Sequence, residues 1–168
     1  VINGAYTEIY LVKTVLPAEL AQVTRSNGYS VNIGAVIRAD FPPDYTQLSD
    51  LAVEKGSVFV IWTGPDMAPE GQIGGPLAVR CQKTIVIAGA MQQPKDIDTA
   101  LLGMAVDLKR VMFGNLQRKY PGQTTPNAIT TWQAKPIEPW YEQIDERTTV
   151  GVFFSEWIIT YQFPVATG

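Results

Sequence analysis

Asp96 with Asp98, and Asp145 with Glu146, are the residues whose type and spacing come nearest to chemistry. Paired carboxylates hold divalent metals or act as general acid and base in hydrolases. Asp96, however, stands directly before a long apolar periodic run, and Asp98 falls in its first turn. Helix capping and the helix dipole already favour negative charge at both places. Asp145 and Glu146 sit in a polar loop, where solubility accounts for them. The chain has no His, which excludes nucleophile–imidazole pairs and triads. Cys81 is the only Cys, so it makes no internal disulfide and is expected to be a buried, inert thiol. "GPDMAPEGQIGG" supplies glycines but neither the P-loop nor the dinucleotide spacing. No catalytic residue, metal or cofactor is assigned. The chain is read as non-enzymatic, with a small metal-dependent hydrolase using Asp96 and Asp98 as the alternative from a different class.

The elements that position these residues follow from periodicity. "DIDTALLGMAVDLKRVMFGNLQRKY" repeats Ile97, Leu101, Met104, Leu108, Val111 and Met112 at helical spacing, so this stripe is expected to be core. Lys109 and Arg110, followed by Arg118 and Lys119, are read as basic residues late in that helix, where they suit its dipole. An opening helix is marked by Ile9, Val12, Leu16, Leu20 and Val23, kinked or restarted at Pro17 and stopped by Asn27–Gly28. "YSVNIGAVIRAD" alternates, with Val31, Ile33, Ala35 and Ile37 on one face. "FPPDY" breaks that strand, a short polar stretch follows, and "SVFVIW" reads as a central strand. "LAVRCQKTIVIAGAM" is a further strand. In "VGVFFSEWIITYQFP", Val150, Val152, Phe154 and Ile158 face one way, while Phe153, Trp157, Ile159, Tyr161 and Phe163 face the other. Both faces of that strand need cover.

Two stretches resist regular assignment. Residues 64–76 are rich in Gly and Pro and read as a long functional loop. Residues 121–148 hold several prolines with Trp132, Trp140 and Tyr141, aromatic residues suited to a partner surface. The expected fold is α/β (α+β): a mixed, largely antiparallel sheet flanked by two main helices, with long irregular loops, in one domain over 1–168.

Composition narrows the function classes. There are 13 basic and 16 acidic residues, a net charge of −3, which is the wrong sign for a phosphate-binding surface. Only 17% of residues are charged and 46% are hydrophobic, which leaves apolar surface for contact between subunits. No apolar run approaches the roughly 18 residues of a membrane span, and cytoplasmic synthesis without membrane contact is expected.

The opening helix ending in "SNGYSVNIGAVIRAD", the buried "GSVFVIW", the passage "TIVIAGAMQQPKDIDTALLGMAVDLKRVMF" and the closing "EWIITYQFP" together resemble the tail-terminator (tail-completion) proteins of long-tailed bacteriophages. The resemblance covers most of the chain and lies in pattern and layout. It implies a small α/β domain, free of cofactors and non-enzymatic, that closes into a ring, typically six-fold. Such a ring caps the tail tube at its head-proximal end and joins the head-completion or neck protein. The expected location is the virion, after assembly in the host cytoplasm. The partners implied are other copies of the chain, the tail-tube protein and the neck protein, with DNA only as passing cargo. Another head–tail connector is the runner-up within the structural class. The interface candidates are Met67, Glu70 and Ile73 in the Gly/Pro-rich loop, and Trp132, Trp140 and Tyr141 in the irregular segment.

Overall fold

The computed structural model describes residues 11–66, 78–93, 95–114, 117–118, 127–128, 130–133 and 138–164; its side-chain description covers 12–64, 83–93, 95–114, 139 and 141–158. A π-helical turn (Leu11–Val15) runs into α1 (Leu16–Ala21), with Pro17 in the first turn of α1. Proline lacks an amide hydrogen, and it is tolerated there because first-turn amides have no intrahelical partner. A 3-10 turn, Arg25–Asn27, follows and is closed by Gly28 at φ 85. The left-handed stop therefore closes this extra turn. Helix α1 itself ends earlier, at Gln22 in right-handed geometry.

Strand β1 (Ala35–Arg38) is followed by α2 (Tyr45–Lys55) and β2 (Ser57–Asp66). Helix α2 occupies the stretch expected to be merely polar. Its signal is a capping box, in which Gln47 N donates to Asp44 Oδ1 at 2.8 Å and Asp44 N donates to Gln47 Oε1 at 3.0 Å. Strand β3 (Ala78–Gln93) and helix α3 (Ile97–Gly114) follow, then the short β4 (Gln117–Arg118), β5 (Asn127–Ala128) and β6 (Thr130–Gln133). β7 (Glu138–Gln143) and β8 (Thr149–Pro164) complete the order.

The main sheet runs β1-β2-β3-β8, with β6 and β7 both lying along the outer edge of β8; β4 and β5 pair separately. β1 is parallel to β2, and every other pairing in the sheet is antiparallel. This is the expected mixed, largely antiparallel α+β fold. Parts of the segment expected to be irregular, 121–148, add strands to the edge of the sheet. Pro139 is tolerated within β7 because an edge strand has one side free of ladder donors. Pro65 likewise falls within the register shift between Thr63 and Asp66 of β2, where pairing is already interrupted.

Each face of the sheet has its own apolar cluster. Phe59, Ile61, Ile85, Ile87, Phe153 and Trp157 meet α3 and the N-terminal stripe Val12, Leu16, Leu20 and Val23. Val58, Val60, Trp62, Val86, Ala88, Ala90, Val150 and Val152 meet Leu48 and Ala52 of α2. Burying one such aliphatic side chain contributes about 1.5–3 kcal/mol, so the two-faced β8 is held from both sides. The alternation from Val31 to Ile37 divides between the layers. Val31 and Ile33 join the α3 cluster, whereas Ala35 and Ile37 join the α2 cluster. The reason is that regular strand begins only at Ala35, so the spacing before it does not carry one face forward.

A glycine fixes the centre of the sheet. Gly89 stands opposite Phe59 on one side and Phe153 on the other. A Cβ at position 89 would collide with the Phe153 ring, so this site requires glycine for space and not for backbone conformation. Two positions on, Ser155 is buried in the same face. Its hydroxyl donates to Ile87 O at 2.7 Å and accepts from Trp157 Nε1 at 2.9 Å, leaving neither hydroxyl nor indole orphaned in the layer.

Candidate functional site

Helix α3 is apolar on two sides. Leu101, Met104, Leu108, Val111 and Met112 are buried as expected. Leu102, Val106 and Phe113 point the other way and are 57%, 53% and 45% exposed. With Lys109 between them, these residues step by four, three and four positions and form one stripe along the helix. The Phe113 ring leans edge-on against buried Trp157, with centroids 5.4 Å apart, so its inner edge is held while its outer face is open.

Tyr141 extends this stripe. It stands opposite Gly151, and a Cβ on Gly151 would touch Leu101 and Ile97, which places this side of β7 in the α3 layer. The phenol is 40% exposed. Burial, and then the charge of Asp98, raise its pKa above the ordinary tyrosine value. The structure thus brings one interface candidate beside α3.

The other interface candidates are less fully placed. Trp132 stands opposite Ile158 in β6, and Trp140 stands opposite Val152 in β7. Met67, Glu70 and Ile73 lie outside the described residues, as does the side chain of Cys81.

A second surface belongs to the opposite layer. Between β1 and α2 runs a groove of about 580 Å³, floored by Ile37, Leu51 and Val60 and edged by Asp40, Asp50 and Glu54. Phe41, at its end, is 82% exposed. Pro42 and Pro43 follow it in the connection between β1 and α2. Sequence reading passed over Phe41, Leu102, Val106 and Phe113. The signal for the α3 residues was present as a second apolar stripe on the helix already identified.

Among the described residues the acidic pairs do not converge on a common centre. Asp96 is exposed, has φ 53, and its carbonyl accepts the first helical bond from Ala100 N at 3.1 Å. It borders a cavity of about 400 Å³ with Arg25, Ser30, Asn32 and Thr99, and Asp98 is not among the lining residues. Asp145 Oδ1 accepts from Arg147 N at 2.7 Å, closing a turn. Among the described residues, no three of His, Cys, Asp and Glu gather as a metal site. None of the described helices is long and apolar enough to cross a membrane.

Arg110 departs from the dipole reading, since the last turn of α3 holds no basic residue. Its Nη1 instead donates to Gly28 O at 2.9 Å and lies 3.6 Å from Asp107 Oδ1, while the guanidinium covers the Tyr29 ring at 4.6 Å. Its role is to tie the turn before β1 to α3. The geometry is that of a domain with two separate exposed apolar surfaces, one in each helical layer. No family model matches this chain, and no curated protein was found to match it.

Proposed function

We propose that this chain is a structural subunit of a long-tailed phage virion. It forms a ring at the head-proximal end of the tail, ends tube growth and joins the tail to the neck, while DNA passes through as cargo. The resemblance implies six-fold closure. The observation that carries the reading is the pair of unlike apolar surfaces, one on α3 and one beside α2. Rings are built from heterologous contacts, in which one patch of a subunit meets a different patch of its neighbour. An α+β domain with helices on both faces of its sheet, exposing apolar side chains on both helical layers, meets that requirement.

Electron microscopy of purified tail tubes mixed with the protein tests the proposal. The expected result is one ring at a single end of each tube and no further elongation when tube protein is added. Replacing Met67 to Gly74 by a short Gly-Ser linker is expected to leave the fold intact and impair this capping. Tubes that elongate equally with and without the wild-type protein would overturn the reading. Metal-dependent hydrolysis of nucleic acid or glycan, lost on changing Asp96 and Asp98 to Asn, would favour the hydrolase instead.

A further inference from the structure

We infer that the joint between neighbouring copies is made by the outer stripe of α3 on one copy and the groove between β1 and α2 on the next. This rests on the ring reading and names the two surfaces that meet. Both surfaces are apolar at the centre. From Leu102 to Phe113 the stripe rises 11 positions, about 17 Å of helix at 1.5 Å per residue. The groove offers Leu51 and Ile37 as its floor and Phe41 as an exposed aromatic anchor.

Charge selects the pairing. Lys109 sits within the α3 stripe, and Asp40 and Asp50 edge the groove. Among the described residues these three make no ion pair, whereas Glu54 is paired with Lys55 at 3.2 Å. Bringing the stripe to the groove sets a cation against two carboxylates around an apolar centre. Stripe against stripe offers Lys109 only the single Asp98 at the far end of the helix, and groove against groove doubles the acidic rim. Like charges brought together are costly and a cation facing two carboxylates is favourable, so the head-to-tail pairing is favoured over both symmetric ones. The same residues therefore give the contact its direction, which a ring requires.

The test uses two full-length variants, each damaged on one surface only. One carries Val106→Asp with Lys109→Glu, and the other carries Asp40→Lys with Asp50→Lys. All four positions are at least partly exposed, and thermal midpoints near wild type confirm that both variants fold. In sedimentation up to millimolar concentration, wild type is expected to associate and each variant alone to remain monomeric. An equimolar mixture is expected to associate again, because it sets an intact stripe against an intact groove and the acidic reversed stripe against the basic reversed groove. Combining Lys109→Glu with the two groove reversals in a single chain is expected to recover association at least about tenfold over either reversal alone. A monomeric mixture, variants that assemble like wild type, or a monomeric wild type at millimolar concentration would each overturn this joint. Tube capping by wild type is scored separately. Capping that persists in both variants sinks the joint and leaves the ring reading standing, while loss of capping by wild type itself sinks the ring reading.

Discussion

The carboxylate of Asp107 is bound to Ser30 across 77 positions of chain, accepting from the Ser30 hydroxyl at 2.7 Å and its amide at 2.9 Å. The same oxygen accepts from Val31 N at 3.2 Å, and Asp107 is only 2% exposed. This one side chain ties the turn before β1 to the middle of α3. Its position therefore also sets where the outer stripe of α3 stands relative to the edge strand and its groove.

Asp107→Ala is expected to lower stability by about 2–4 kcal/mol, because it removes a charged acceptor and leaves the buried Val31 amide and the part-buried Ser30 donors without it. Ser30→Ala removes one of those donors together with its bond and is expected to cost about 1 kcal/mol. Since both changes act on the same contact, the double variant is expected to lose less than the sum of the two. Urea unfolding of the four proteins checks this. Additive losses would show that the two residues act independently.

Gly89→Ala is expected to destabilise the sheet by about 1–3 kcal/mol, the usual effect of forcing extra volume into a packed layer. The added methyl is directed at the far end of the Phe153 ring. Phe153→Leu removes those atoms, so Gly89→Ala is expected to be milder in that background than in wild type. Equal losses in both backgrounds, measured by thermal unfolding, would place the strain somewhere other than the Phe153 contact.

These contacts show what could be read from sequence and what could not. The buried stripe from Leu101 to Met112 was legible because helical spacing and apolar type coincide over several turns. Phe153 and Trp157 facing away from Val152 was legible in the same way, from the two-residue period of a strand. Helix α2 was hidden by weak apolar content, and only the Asp44–Gln47 spacing marked it. The outer stripe was hidden for the opposite reason. A helix apolar on two sides does not say which side meets the sheet, and the choice is made by contacts with distant strands. Asp107 could not be assigned from spacing either, because its partners lie on another part of the chain.

Leu108→Asp and Leu102→Asp separate the two sides of α3. Leu108 is fully buried, so a carboxylate there is placed among apolar side chains without a partner; the expected loss is several kcal/mol, enough to unfold a marginal domain. Leu102 is 57% exposed, and the same change is expected to shift the monomer's stability by about 0.5 kcal/mol or less. Circular dichroism melts of both variants check the contrast. Similar midpoints for the two would mean that α3 does not bury the side described.

Tyr141 and Asp98 provide a spectroscopic test of the surface where β7 meets α3. The phenol is raised above the usual tyrosine value of about 10 by burial first and by the Asp98 carboxylate second. Because the neutral form is favoured in the folded state, the unfolded chain releases this proton first as pH rises. Stability linked to this group is therefore fully present below the unfolded pKa, and it is lost as pH rises from there through the raised folded pKa. Asp98→Asn removes the smaller of the two causes while leaving the burial. Ultraviolet difference titration of wild type against Asp98→Asn is expected to show one tyrosine ionising at lower pH in the variant. A Tyr141→Phe background is expected to abolish that difference. If the difference survives in the Phe background, the tyrosine near Asp98 is a different one, and Tyr141 does not extend the α3 surface.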